Sequence, residues 1–173
     1  MKPEFVVLLT MLMAGHTQAA PDNVHFSGAL VAEPCTLPDE DTSIQLDFGS
    51  VIEKYLYQYT RTQGQPFTIH LLDCDPSMMN TVSVMFTGTA NTELTDLLAT
   101  ETTSSARGVA IGIELQNGVL LPVNKPSPYG NLAAGNNDLN FTAFVQATPS
   151  AIANKTLGAG DFRAIATFQL SYQ

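Results

Sequence analysis

Apolar and polar residues alternate with a period of two in segment after segment of this chain. That period places successive side chains on opposite faces of an extended strand, and it is typical of strands with one buried face. The pattern covers residues 44–48, 67–71, 82–86, 109–115, 119–123, 139–145 and 162–172. Seven short strands separated by turns predict an all-β fold, a β-sandwich of the immunoglobulin-like type. The sequence contains no Trp, so the Cys…Trp…Cys pattern of antibody domains is missing.

Turn signals separate the predicted strands. Asn117 and Gly118 stand between two alternating segments, and Asn-Gly in that setting is the strongest short signal for a β-hairpin. Residues 125–137 are rich in Pro, Gly and Asn and are predicted to form a loop. Residues 93–99 are the one stretch for which a short helical turn is expected.

Composition and charge narrow the class of protein. Hydrophobic residues make up 45% of the sequence and charged residues 13%, a composition that disordered chains do not have. The net charge of −9 disfavours binding to the phosphates of a nucleic acid or to an anionic membrane surface. Neither is therefore expected as a partner.

Residues 1–19 have the features of a secretory signal peptide. Lys2 lies near the start, residues 5–15 are apolar, and Ala19 is a small residue at the predicted cleavage site. A membrane-spanning helix needs about 20 apolar residues, so this run is too short to be an anchor. The sequence predicts an exported chain that is not embedded in the membrane.

Cys35 and Cys74 are the two cysteines of the chain. An even number of cysteines in an exported protein predicts a disulfide, here a structural one because no CxxC motif is present. A metal site is not expected, since His25 and His70 do not stand at ligand spacing from either cysteine. No cofactor is predicted.

The sequence gives no indication of an enzyme. Asp73 and Asp75 flank Cys74 and are interpreted as solvated turn residues rather than as an acid–base pair. No nucleophile-elbow motif is present. Tyr55, Tyr57 and Tyr59 alternate, and they are compatible either with a sugar-stacking patch or with structural packing at a sheet edge or groove. The first possibility keeps open an alternative function, a self-contained secreted carbohydrate-binding module.

The predicted N-terminal strand is unusual because it begins only a few residues after the cleavage site, where chains are normally frayed and polar. Residues on one of its faces are apolar except at a central glycine; they are Val24, Phe26, Gly28, Leu30 and Ala32. An ordinary first strand and a strand offered to another chain, by β-augmentation, are both compatible with this pattern.

Several motifs resemble those of chaperone–usher pilin subunits, the class that builds type 1 and P pili. They are residues 24–37, which run into the first cysteine, Leu46-Asp47-Phe48-Gly49, Leu72-Asp73-Cys74, residues 86–90 and residues 108–113. The C-terminal residues 159–173 are the most specific. Gly160 is fourteenth from the end and Tyr172 is penultimate, as in the family's chaperone-binding strand.

The resemblance implies an incomplete immunoglobulin-like sandwich that a donor strand from another chain completes. Residues 20–34 would be the N-terminal extension that serves as donor strand, and residues 35–173 the pilin domain. The donor face would be Val24, Phe26, Gly28, Leu30 and Ala32. The strand beside the acceptor groove, which also binds the chaperone, would contain Gly160, Phe162, Ala164, Ala166, Phe168, Leu170, Tyr172 and Gln173.

The same resemblance implies the partners: neighbouring pilin subunits, a periplasmic pilus chaperone and an outer-membrane usher. The chain would pass through the periplasm to a fimbrium at the cell surface and contribute to cell adhesion. The short extension is similar to those of minor or tip-adaptor subunits, and residues 20–173 leave no room for the lectin domain of a tip adhesin.

Overall fold

The computed structural model describes Ser27 and residues 32–173. The elements are a 3₁₀ turn at Asp39–Thr42, helix α1 at Glu53–Tyr59, strands β1 at Gln65–Cys74, β2 at Thr81–Thr87, β3 at Leu98–Ala99, β4 at Val109–Leu115, β5 at Gly130–Asn131 and β6 at Gly135–Ala147, helix α2 at Pro149–Asn154, and strand β7 at Thr167–Tyr172. None of these helices is long and apolar enough to cross a membrane.

The strands form two antiparallel sheets that enclose one core. The first sheet has the order β1-β6-β4-β3 and the second the order β5-β2-β7. Phe67 and Phe141 of the first sheet pack against Phe86 of the second, with ring centroids 5.1–5.9 Å apart. The predicted all-β, immunoglobulin-like sandwich is confirmed.

Four of the predicted strands are present at the expected places, within β1, β2, β4 and β6. Their apolar positions are buried, among them Ile69, Val84 and Val145, which are almost fully shielded from solvent. The period of two predicts these strands well because each has one face against the core and a hydrogen-bonded neighbour along its edge.

Residues 44–48 and 162–166 differ from the prediction. Residues 44–48 are extended but pair with no described strand, and β7 begins at Thr167 instead of Phe162. The side chains alternate in burial as predicted, whereas strand assignment also requires a ladder of backbone hydrogen bonds. The sequence pattern reports burial and carries no information about that ladder.

The tyrosine segment is also different: Tyr55, Tyr57 and Tyr59 lie on helix α1 instead of alternating along a strand. Leu56 is the buried residue of this helix, and the spacing of four residues between Tyr55 and Tyr59 places both on one face of a helix as well as on one face of a strand. The prediction that the tyrosines alternate along a strand at a sheet edge was therefore wrong, while the sugar-stacking interpretation stays a prediction.

The turn predictions had mixed outcomes. Gly118 adopts a φ of +78° and its N–H bonds to Leu115 O, so the Asn-Gly turn is confirmed. The second arm of that hairpin makes one isolated bridge, between Leu120 and Glu114, instead of the predicted strand 119–123. The loop 125–137 contains the short strand β5 and the start of β6, and residues 93–99 form turns followed by β3 instead of a helical turn.

Candidate functional site: a sheet edge beside an apolar groove

Strand β7 has a hydrogen-bonded partner on one side, where it pairs with β2 from Thr87↔Thr167 to Val82↔Tyr172. Thr81 and Gln173 exchange backbone bonds at the end of this ladder, Thr81 N–H donating to Gln173 O at 3.0 Å and Gln173 N–H to Thr81 O at 3.1 Å. In an antiparallel pair every second residue bonds its partner, so the N–H and C=O groups of Phe168, Leu170 and Tyr172 point away from β2. No described strand pairs with that side of β7.

The segment before β7 continues this arrangement with a different neighbour. Glu101 N–H donates to Arg163 O at 2.7 Å, Ser105 N–H donates to Asp161 O at 2.9 Å, and the Ser104 hydroxyl oxygen accepts the Arg163 N–H at 3.0 Å. These bonds use the odd-numbered residues, as the β2 ladder does. The even-numbered residues 162–172 therefore direct their backbone polar groups to one continuous open side, which we call the acceptor edge.

Side chains at the acceptor edge turn inward but stay half-buried. This holds for six of the eight residues predicted for this strand, Phe162, Ala164, Ala166, Phe168, Leu170 and Tyr172; the other two, Gly160 and Gln173, are exposed, as are the residues between the six. Half-burial of every inward position on one strand means that the core on that side lacks its cover. The same residues thus offer unpaired backbone groups and uncovered apolar surface.

The opposite wall is the extended segment 44–48. Ile44, Leu46 and Phe48 are half-buried and alternate with exposed Gln45 and Asp47. Phe48 meets Phe162 with ring centroids 6.1 Å apart. The alternation in this segment was recognised in the sequence, but its role as a groove wall was not. A segment that lies beside a groove has the same alternation of apolar and polar residues as a strand paired on both sides.

Between the two walls lies a groove with a volume of about 890 Å³. Its floor consists of core residues from both sheets: Phe67, Phe86, Leu98, Ile111, Ile113 and Ala143. The groove combines apolar floor and walls with a row of unpaired backbone groups, which are the two components that bind an added β-strand.

The far edge of the first sheet is protected by the chain itself. Thr36 and Leu72 exchange backbone hydrogen bonds at 2.7 and 2.8 Å, and the buried carboxylate of Asp41 accepts the His70 N–H at 2.5 Å. Pro66 lies on the same strand and has no N–H to offer. An edge closed in this way resists pairing with other chains, in contrast to the acceptor edge.

Gly160 stands at the start of the segment that leads to the acceptor edge. Its φ is +149°, and a Cβ at this position would lie 2.8 Å from Ala106 N and closer still to Ser105 Oγ. Asp161 N–H donates to that same Ser105 hydroxyl at 2.9 Å. A glycine is required because the backbone passes directly against residues 105–106.

The chain leaves the sandwich beside the other end of the acceptor edge. The disulfide joins Cys35 to Cys74, at the end of β1, and Asp75 N–H donates to Pro34 O at 2.7 Å. Burial raises the pKa of the Tyr172 phenol, and the nearby Glu33 carboxylate adds to the rise. We call this end, marked by Glu33, Cys74 and Gln173, the exit end.

The predicted donor residues Val24, Phe26, Gly28 and Leu30 lie outside the described residues, and Ala32 is exposed. Gln173 is the last residue of the predicted chaperone-binding strand, and one of its carboxylate oxygens accepts hydrogen bonds from the N–H groups of Asn80 and Thr81, at 2.8 and 3.0 Å. The described residues contain no cluster of His, Cys, Asp and Glu that would hold a metal ion.

The Asp75 carboxylate accepts hydrogen bonds from the Ser77 hydroxyl and the Ser77 N–H. These bonds, the one from the hydroxyl above all, lower the pKa of Asp75.

Comparison with known proteins gives a consistent result. The family model described as "Fimbrial protein" matches residues 24–173. The chain is 31% identical over 169 residues to PmfF of Proteus mirabilis (strain HI4320), which is named as a minor fimbrial subunit; the match covers 94% of this chain and 93% of PmfF. It is 33% identical over 166 residues to the major MR/P fimbria protein of the same organism, with coverages of 94% and 91%. The crystal structure of the P pilus rod subunit PapA is similar with a TM-score of 0.71 at 25% identity, covering 82% of this chain and 100% of PapA.

Proposed function

This chain belongs to the fimbrial protein family, the structural subunits of chaperone–usher fimbriae, and we propose that it is a minor or tip-adaptor pilin that joins its neighbours by exchange of a β-strand. The observation that carries the proposal is the acceptor edge beside an apolar groove. In this scheme the protein is a structural component of a surface fimbrium and catalyses no reaction.

The groove supports strand exchange on energetic grounds. A strand that buries about four medium-sized apolar side chains gains roughly 1.5–3 kcal/mol for each of them. It also satisfies the backbone groups of the even-numbered residues along the acceptor edge, which no described strand pairs with. An extension with the pattern of Val24, Phe26, Leu30 and Ala32 presents such a face.

The position of the exit end supports head-to-tail joining. The extension leaves beside Tyr172, whereas the groove is walled by Phe48 and Phe162 at the opposite end of the acceptor edge. The extension is N-terminal, so its own sandwich follows its last residue. When the extension binds antiparallel to β7, that last residue lies at the Phe162 end of the acceptor edge, and the donating subunit stands there. Successive subunits then follow one another along one axis, and none occupies the exit end of its acceptor.

A chaperone and an usher enter the proposal for a physical reason. An uncovered edge beside apolar surface invites aggregation, so a periplasmic chaperone strand would cover it until the usher presents the next subunit. The short extension, residues 20–34, favours the minor or adaptor position. Both a minor subunit and a major subunit stand among the relatives at similar identity, so this position is assigned by the extension alone.

The test removes the extension. Residues 35–173 are expressed in the periplasm with and without a pilus chaperone, and a peptide of residues 20–34 is then added. We expect a soluble product only when the chaperone is co-expressed. When the peptide then displaces the chaperone, we expect a large increase in the melting temperature of the chain. A chain of residues 35–173 that folds unaided as a stable monomer, with no response to the peptide, would contradict the proposal.

A further inference from the structure

Helix α1 exposes an apolar surface that the sandwich does not use. Ile52 is 66% exposed and Tyr59 is 54% exposed, and the ring of Tyr59 lies 4.5 Å from that of Tyr55. The helix is held in place from its other side, where Leu56 is buried and the Tyr57 hydroxyl oxygen accepts the Leu157 N–H at 3.1 Å. The surface formed by Ile52, Tyr55 and Tyr59, which we call the α1 patch, therefore sits on a fixed support.

The α1 patch lies at the end of the sandwich where a donating subunit would stand. Ile52 follows groove residue Phe48 by four positions, and Phe48 contacts Phe162. Thr60, directly after the helix, accepts the N–H of Ala147, the last residue of β6, whereas Gly135, the first residue of β6, pairs with Cys74 at the exit end. The patch thus follows the groove wall closely in sequence and lies at the end opposite to the exit end.

The two ends differ in charge. Among the described residues, those towards the exit end include five exposed carboxylates and no Lys or Arg; the carboxylates belong to Glu33, Asp39, Glu40, Asp73 and Asp75. The opposite end carries the exposed cations Lys54, Arg107, Lys155 and Arg163 among a similar number of acids, and exposed Lys125 on the same half is paired with Asp96 at 3.1 Å. Arg61 is not counted here because its guanidinium is paired with Glu114 at 2.5 Å. Lys54 is the cation on helix α1 itself.

We propose that the α1 patch, with Lys54 at its rim, is a second contact surface for the body of the subunit whose extension fills the groove, and that the exit end of that subunit docks there through its carboxylates. This inference rests on the proposed strand exchange and adds a body-to-body contact to it. The partner is defined by its chemistry: a fimbrial subunit with an acidic exit end, for which a second copy of this chain serves as the probe.

The experiment separates the groove from the α1 patch. Chaperone-bound mature chain, either wild type or Ile52→Ser/Tyr59→Ser, receives either the peptide of residues 20–34 or a second copy of the mature chain. We expect the variant to take up the peptide at the wild-type rate but to join the second copy at least about tenfold more slowly, as loss of an aromatic anchor would cause. Val119→Ser, which removes a side chain 55% exposed on the Asn117–Gly118 turn, is the matched control and is expected to join normally.

Charge exchange tests the same contact in a second way. Lys54→Glu in the accepting copy is expected to slow joining, and Asp75→Lys or Glu40→Lys in the donating copy is expected to restore part of the rate, with both effects reduced at about 1 M salt. Equal joining rates for the Ile52→Ser/Tyr59→Ser variant and the wild type would overturn the α1 contact, and so would equal slowing of peptide uptake and joining. Failure of the wild type to take up the peptide would instead contradict strand exchange itself.

Discussion

At the scale of single residues, Gly160 is the position where the backbone leaves least room. Gly160→Ala places a methyl group against Ser105 and Ala106, so we expect a loss of about 1–3 kcal/mol in the free energy of unfolding. The measurement is urea unfolding of the chain complemented with the donor peptide. Gly130→Ala is the control, because its Cβ would meet only Val82 O at 3.9 Å, and equal effects of both substitutions would show the close approach to be unimportant.

Gly28 is expected to matter for a different reason, since it interrupts the apolar face of the predicted donor strand. Gly28→Leu should block joining to a neighbouring subunit while the chaperone complex still forms. Ser27→Leu adds the same side chain on the opposite face and should join normally. Heat-resistant oligomers on gels report the outcome, and unchanged oligomers for Gly28→Leu would show the donor face to be wrongly assigned.

At the scale of secondary-structure elements, helix α2 depends on a carboxylate at its start. Glu93 accepts hydrogen bonds from the Ser150 N–H, at 2.9 Å, and from the Ser150 hydroxyl. These bonds, the hydroxyl bond above all, lower the pKa of Glu93 below its ordinary value of 4.5. A lowered pKa stabilises the fold above pH 4.5, and the contribution disappears as the pH falls through the pKa of the folded state.

Glu93→Gln should therefore lower the melting temperature at pH 7, where the Glu93 carboxylate is charged. The difference in melting temperature between this variant and the wild type should shrink towards pH 3. Ser150→Ala should reproduce this pH dependence because it removes the main donor. A difference that stays constant between pH 7 and pH 3 would show that the charge of Glu93 is not involved.

The elements also explain which parts were predictable from the sequence. Strands β1, β2, β4 and β6 were predictable because burial and backbone pairing coincide in them. Residues 44–48 and 162–166 keep the burial pattern without the ladder, and a sequence reports only the first. Helix α1 was missed because the alternating tyrosines also fit a helical spacing around Leu56, and seven residues are too few to separate the two periods.

At the scale of the whole molecule, the disulfide fixes Cys35, the first residue after the extension, to the end of β1. The cysteines are 39 residues apart, for which chain entropy predicts a stabilisation of roughly 4 kcal/mol. Replacing both with Ser should lower the stability of the peptide-complemented chain by up to this amount. Urea unfolding under oxidising and reducing conditions measures it, and a wild-type chain with the same stability in both would contradict the prediction.

The candidate groove shows the limit of sequence reasoning at this scale. Gly160, Tyr172 and the alternation of residues 162–172 predict one wall, whereas residues 44–48, which form the second wall of the groove, were assigned as an ordinary strand. Which two segments leave a gap between them depends on contacts such as Phe48 with Phe162, which join distant parts of the chain. No local pattern encodes such a contact.

The lengthwise course of the acceptor edge has a mechanical consequence for a fibre under load. Force would enter through the donor strand at the Phe162 end and leave through Cys35 at the exit end, so it would act parallel to the strands. In this shear geometry all hydrogen bonds along residues 162–172 would resist together, instead of opening one after another as in a zipper. The disulfide would pass the load directly to β1, so tension would reach the central sheet without first peeling residues 36–48 from the sandwich.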